Sequence, residues 1–274
     1  MTTLEQLGGR ETLPALPYAA HEILVATSSE EPDISDVAAT IAREPGLTAR
    51  IVAIANHAFF KRQETVYGLE QAILRIGLNR VRVLATSLLL NQVFDASACP
   101  AFQLERYWHD ALATGFCAAR LAPHTAPGED QEAAYLGGVL HSIGLLLLVH
   151  TFPHTMNRVL AEHEADPERS LAALSYAALG CEHGEAGELL LREWEVPEAI
   201  AVIAGHAHQP GYRGEHAALV ETVRFAHEWL QQGLDPQRTE GVPDLPAPTL
   251  ERIARACEAE RESLAAFAQL LAEG

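Results

Sequence analysis

Thirteen of the 274 residues are histidine, and their surroundings decide what chemistry they could do. Neutral imidazole suits zinc, iron, copper or nickel better than magnesium, so metal chemistry here would belong to the transition series. The sharpest context is His141-Ser142, a polar pair inside the apolar run from Val139 to Val149. A buried imidazole needs a hydrogen-bond partner or a metal. Its neighbour Ser142 is a neutral hydroxyl, a poor ligand for a hard divalent cation. His183 lies in Gly180-Cys181-Glu182-His183-Gly184-Glu185, where the two glutamates also suit a helix start as capping charges. His206 and His208 share the segment Gly205-His206-Ala207-His208-Gln209-Pro210. His109 and Asp110 follow Trp108, and Asp110 reads as a ligand, as the orienter of a histidine, or as a helix-surface charge. His227 sits in Phe225-Ala226-His227-Glu228. His150, His154, His163 and His216 have no partner pattern and read as surface residues. The chain has no Gly-rich phosphate loop, no serine nucleophile elbow and no Cys-His pair.

The elements that must position these groups are helical. Ala and Leu dominate, and strand-like alternation is scarce. Leu13-Pro14-Ala15-Leu16-Pro17 starts a first helix ending near Ala26. Asp33 suits the N-cap of a second, with Ile34, Val37, Ala38 and Ile41 on one face. Pro45 opens a third, with Leu47, Ile51, Ile54, Ala55 and Ala58 inward. The connector Phe59-Phe60-Lys61-Arg62 sets two aromatics beside two cations, either as a plug between helices or as a contact patch. A helix over Leu69 to Ile76 stops at Gly77, and Asn79 caps the next, which reaches Val93. Residues 95–100 mark a boundary between two lobes. Beyond it the pattern predicts a helix from Phe102 to Ala122 ended by Pro123. A single central helix follows over 129–151, running through His141. Helices over 154–165, 168–179, 186–194, 197–205 and 215–231 come next. A proline-containing loop over 233–248 precedes a last amphipathic helix over 249–271. Arg75, Arg80 and Arg82 cluster around Gly77, as a solvated face or as a site for an acidic partner or phosphate.

Composition excludes several classes. With 37 acidic against 19 basic residues the formal net charge is −18. Such a surface repels a phosphate backbone, so general nucleic-acid binding is not expected. The cysteines Cys99, Cys117, Cys181 and Cys257 suggest no disulfide framework. The N-terminus carries no basic-then-apolar leader. The longest apolar run falls short of the ~20 residues a membrane helix needs. The expectation is a soluble, cytoplasmic protein without a membrane partner.

Several longer motifs carry a family likeness. They are Leu13-Pro14-Ala15-Leu16-Pro17, then Ile41-Ala42-Arg43-Glu44-Pro45-Gly46-Leu47-Thr48-Ala49-Arg50, Ala55-Asn56, and Leu69-Glu70-Gln71-Ala72-Ile73-Leu74-Arg75-Ile76-Gly77-Leu78. In the second half they are Gly138-Val139-Leu140-His141-Ser142-Ile143-Gly144, His183-Gly184-Glu185-Ala186-Gly187 and Trp194-Glu195-Val196-Pro197. In this order they resemble the HDOD domain, over residues 13–232. That domain is related to HD-type metal phosphohydrolases, the HD-GYP cyclic-dinucleotide phosphodiesterases among them. The resemblance implies an all-α fold, an N-terminal helical bundle (13–95) packed on an HD-like bundle (101–232). Residues 1–12 form a lead-in, and 233–274 a loop and helix outside the likeness. It also implies bacterial signal transduction rather than catalysis.

The catalytic pattern is broken in this chain. Ser142 stands where an HD hydrolase has aspartate. Against that pattern Asp110 falls at an earlier histidine position and His227 at a late aspartate position. A two-metal clamp relies on several carboxylates to offset two cations, and these substitutions argue against it. An HD-like fold would let His141, His183, His206 and His208 converge on one pocket. That pocket is then either a vestigial polar site held by hydrogen bonds, which the missing carboxylates favour, or a single transition-metal site. No cofactor is expected under the first reading. The function that follows is a non-catalytic regulatory module binding a signalling protein, or a small-molecule or nucleotide ligand. A metal-dependent phosphohydrolase or cyclic-dinucleotide phosphodiesterase is the alternative. No receiver, kinase or output domain is recognisable, so output is expected to pass through contact.

Overall fold

The computed structural model describes residue 7 and residues 13–25, 34–56, 65–129, 131–237 and 245–273. The described residues are all-helical, without a strand. The N-cap expected at Asp33 and the connector Phe59-Phe60-Lys61-Arg62 lie outside them.

The N-terminal lobe comprises α1 (Tyr18–Val25), α2 (Ile34–Ala42), α3 (Pro45–Asn56), α4 (Leu69–Ile76) and α5 (Leu78–Val93). Buried aliphatic side chains such as Ile41, Ile51, Ile73 and Leu84 fill it. Asn56 gives the motif Ala55-Asn56 a structural role: its amide accepts from Val66 N at 2.8 Å and donates to Val66 O at 2.7 Å. One side chain thereby serves both backbone groups of the chain entering α4. The arginine cluster near Gly77 is taken up internally. Arg80 pairs with Glu260 at 2.6 Å, Arg82 with Glu132 at 2.6 Å, and Arg75 donates to Ala55 O at 3.3 Å.

The second lobe begins with α6 (Leu104–Thr125), the helix on which the rest is assembled. It packs against α7 (Gln131–Leu140), against α13 (Ala217–Gln231) and against the C-terminal α14 (Ala247–Ala272). Between them come α8 (Ile143–Thr151), α9 (Pro153–Ala165), α10 (Leu171–Leu179), α11 (His183–Glu193) and α12 (Glu198–His206). Pro123 does not end α6, which runs on to Thr125. A proline in a last turn removes one donor, and Ala126 N still closes the turn on Ala122 O at 2.9 Å.

The continuous central helix expected over 129–151 is not formed. It breaks at His141-Ser142 into α7 and α8. The cause is local. The His141 ring donates from Nδ1 to Gly138 O at 2.6 Å, the carbonyl that Ser142 N–H would use in an unbroken helix. Ser142 leaves helical geometry at φ −115°, ψ 19°, and Leu145 N then bonds Ser142 O at 2.9 Å to start α8. Taken whole, Gln131–Thr151 is long and on average apolar enough to cross a membrane, although polar residues interrupt its apolar runs. Of its most apolar 18-residue window, 78% is buried within the fold, as a core segment must be.

Two glycine contacts let the elements carrying the polar groups approach closely. A Cβ on Gly138 would stand 2.5 Å from Gly115 Cα, so α6 and α7 cross backbone to backbone. A Cβ on Gly144 would stand 1.9 Å from His183 O, which fixes α8 against the start of α11. The lobes are tied by side chains as well. Trp194 Nε1 donates to Pro14 O at 2.8 Å, joining the motifs Leu13–Pro17 and Trp194–Pro197.

Candidate functional site

His141, at the break between α7 and α8, is 1% exposed and lies at the centre of a histidine cluster. Ring centroids of His227 and His208 lie 4.9 and 5.2 Å from it, and His183 lies 4.6 Å from His208. Asp110 comes from α6 and His227 from α13, two helices packed along each other. The ligand atoms of Asp110, His141 and His227 all lie within 4.8 Å of one another. Asp110 Oδ2 is 3.3 Å from His227 Nδ1 and 3.9 Å from His141 Nε2.

Each member is oriented by a neighbour. Because Gly138 O can only accept, the neutral His141 carries its proton on Nδ1 and turns the Nε2 lone pair inward. Gln231 Nε2 donates to Asp110 Oδ1 at 2.8 Å, leaving Oδ2 for the cluster. Ser142 Oγ is 3.0 Å from His208 Nε2, so the serine engages a histidine at the rim. His183 opens α11 behind a capping box, in which Glu182 N donates to the Glu185 carboxylate at 2.8 Å. The two glutamates therefore cap a helix, one of the roles expected for them.

The electrostatics follow from burial and from one carboxylate. Burial pushes His141 down to about 4, with the nearby His227 acting in the same direction and Asp110 opposing. Burial also pushes His183 down to about 4, and His208 is lowered well below its ordinary value for the same reason. For His227 burial acts downward, but contact with Asp110 and its charge outweigh it and raise the group. Burial acts upward on Asp110, and the imidazoles of His227, His141 and His109 together hold it low. Three imidazole nitrogens are buried without a hydrogen bond among the described residues: His141 Nε2, His183 Nδ1 and His227 Nδ1.

A cleft of about 530 Å³ opens over this cluster, reached past Phe102, Arg106, Leu160 and Leu171. That volume is the size of a small-molecule site. A second cavity of about 370 Å³ lies on the other side of Asp110, between α6, α13 and α14, and Arg106 lines both.

Of the predicted residues, Asp110, His141, His183, His208 and His227 come together and His206 does not. His206 stacks on Tyr212 at 4.2 Å, meets Gln209 at 2.9 Å and lies 3.5 Å from Glu188. It ends α12, and the turn that follows sends His208 to the cluster. His109 lines the second cavity. Two histidines read as surface residues are engaged: His150 accepts from Asp95 N at 2.9 Å, and His163 lines the cleft with Nδ1 2.8 Å from Arg169 O. Gln231 was missed. Its signal is its place one turn after His227, on the same face of α13.

Comparison with known proteins fits this architecture. The HDOD domain profile matches residues 13–210. The chain belongs to the HDOD family. The HDOD match stops short of α13 and α14, so His227 and Gln231 lie beyond it. An uncharacterized protein of Treponema pallidum (strain Nichols) is 27% identical over 218 residues, 79% of this chain. The chain spans 42% of that relative's length. Among solved structures, a protein described as a candidate signal transduction protein from Marinobacter aquaeolei VT8 aligns with TM-score 0.78 at 21% identity. The alignment covers 99% of this chain and 62% of that one. An HDOD domain protein of unknown function from Geobacter sulfurreducens aligns with TM-score 0.73 at 19% identity, covering 98% and 96%. A candidate phosphohydrolase from Shewanella amazonensis SB2B gives 0.74 at 21%, covering 98% of both. At these identities the solved structures establish the fold alone.

Proposed function

We propose that this HDOD protein is a non-catalytic regulatory module of bacterial signal transduction. It acts in the cytoplasm, taking a small ligand into the cleft over the histidine cluster and passing the change to a signalling protein. The observation that carries this reading is the donor set. Asp110 is the one carboxylate in the described Asp110–His141–His227 cluster, and Ser142, in the aspartate position of an HD pair, is engaged with His208 at 3.0 Å. One carboxylate cannot offset a pair of divalent cations, so the two-metal hydrolysis of HD enzymes lacks its electrostatic basis. The acidic surface keeps nucleic acid away, and nothing in the reading calls for a membrane.

The alternative, a metal-dependent phosphohydrolase or cyclic-dinucleotide phosphodiesterase, draws on the convergence of Asp110, His141 and His227. The test is an assay of the purified chain with cyclic dinucleotides and with a chromogenic phosphodiester, in manganese and in ferrous buffers. The expected result is no turnover above the protein-free blank. Metal-dependent turnover that disappears in His141→Ala would establish the alternative.

A further inference from the structure

The arrangement of lone pairs at the centre of the cluster makes a demand of its own. His141 Nε2 is buried, has no hydrogen bond, and points at the Asp110 carboxylate 3.9 Å away. Its ring proton is committed to Gly138 O on the other side. Two Lewis bases thus face each other at the centre, and an uncompensated buried donor of this kind costs solvation. His227 Nδ1 is 3.3 Å from the same Asp110 oxygen, within ion-pair distance, so both imidazoles turn a ring nitrogen to one carboxylate. A cation set between the three would satisfy all of them at once.

We infer that Asp110, His141 and His227 bind one divalent transition-metal ion, of the zinc and ferrous class, with Ser142 and His206 outside the ligand set. This rests on the reading of the cleft as a ligand-binding site and names a ligand for it. The spacing fits. Bonds of about 2.0–2.2 Å to nitrogen and oxygen in a tetrahedral site place donor atoms roughly 3.3–3.6 Å apart. The three donors here, at 3.3 Å, 3.9 Å and within 4.8 Å, need close by no more than about an ångström and a half. The outer contacts fit too. Gly138 O holds the His141 ring and Gln231 holds the free Asp110 oxygen, the kind of support that fixes ligands to a metal.

The donor types select the ion. Two imidazoles and one carboxylate suit zinc or iron(II) rather than magnesium or calcium, which want oxygen. The charge selects the number. One carboxylate leaves a divalent ion with a net positive charge, so a second cation beside the same three donors is repelled. Relative to the HD pattern set out above, carboxylate and imidazole are exchanged between positions 110 and 227. The exchange keeps a three-donor set while Ser142 drops out. Bound there, the ion would offer a Lewis-acid coordination position to a ligand in the cleft.

The test uses the full chain stripped with a chelator, then titrated with zinc by calorimetry and with cobalt(II) by visible spectroscopy. The expected result is one ion per chain, undisturbed by a thousandfold excess of magnesium. Asp110→Asn, His141→Ala and His227→Ala should each weaken zinc by at least about tenfold, since even outer-contact changes cost 10–100-fold. His206→Ala should stay within about twofold. Asp110→Asn preserves shape, so it stays decisive if a histidine variant misfolds, and it should also alter the cobalt spectrum. Absence of saturable binding, two ions per chain, or affinity that survives all three substitutions would overturn the site. The outcomes separate from those of the functional reading. Phosphodiester turnover by the zinc-loaded chain would overturn the non-catalytic reading and leave the metal site standing. Failure of zinc binding without turnover would remove the metal site alone.

Discussion

At the scale of single residues, the buried histidines couple stability to pH. His183 is 4% exposed and pushed by burial from 6.5 down to about 4, so it is neutral in the folded protein. In the unfolded chain it titrates near 6.5, and the unfolded state therefore takes up the proton first. Its contribution is fully present above pH 6.5 and drains away as pH falls through 4. A shift of this size corresponds to roughly 3 kcal/mol. His183→Leu removes the titrating ring, and Nδ1 has no hydrogen bond to lose. Urea denaturation of both proteins at pH 7 and pH 5 should show a smaller loss of stability for the variant. Part of the remainder belongs to His141, which is depressed to the same value, and to His208, which burial lowers in the same direction. An unchanged difference between the two pH values would mean that His183 is not held neutral by the fold.

Helix crossings decide whether the polar groups meet. Asp110 rides on α6 and His141 on the end of α7, and the two helices touch at Gly115 and Gly138. Gly138→Ala would set a methyl 2.5 Å from Gly115 Cα and 2.8 Å from Gly115 N. Backbone cannot rotate out of the way, so the helices must separate. Overpacking of this kind costs ~1–3 kcal/mol or more. The expectation is a loss of at least that size in chemical denaturation, together with weaker zinc binding. Gly46→Ala is the control, because a Cβ there meets nothing within 4 Å and sits in α3. It should be neutral or stabilising by up to about 1 kcal/mol, through helix propensity alone. Equal effects of the two substitutions would mean that the close crossing is unimportant.

For the molecule as a whole, the C-terminal helix completes the HDOD core although the family match ends before it. On α14, Leu250, Ile253, Leu264, Phe267 and Leu271 are each at most 4% exposed. At ~1.5–3 kcal/mol for each buried side chain their burial is comparable to the 5–15 kcal/mol that holds a typical domain together. Arg80–Glu260, and Asn91, which donates to Leu271 O and accepts from Trp108 Nε1, bind α14 into both lobes. A chain ending at Leu245 should therefore lose its cooperative thermal transition or self-associate in sedimentation. A truncated chain that melts like the parent would show α14 to be an accessory.

The sequence alone determined the class of fold, the order of the helices and the motifs of the HDOD family. Helical periodicity, caps and prolines are local, and local signals survive in a one-dimensional reading. The glutamates around His183 were legible as caps for that reason. What only the tertiary structure decided is who meets whom. Asp110 and His227 lie on helices far apart in the chain, and no spacing rule joins them. His206 and His208 are two residues apart and equally histidine, yet one stacks on Tyr212 and the other faces His183, because the turn after α12 sends them to different sides. The break at His141 was hidden by apolar neighbours that suit one long helix. It arises because the ring takes the Gly138 carbonyl. That single side-chain choice both ends α7 and aims Nε2 at the carboxylate of a distant helix, which hydropathy patterning cannot encode.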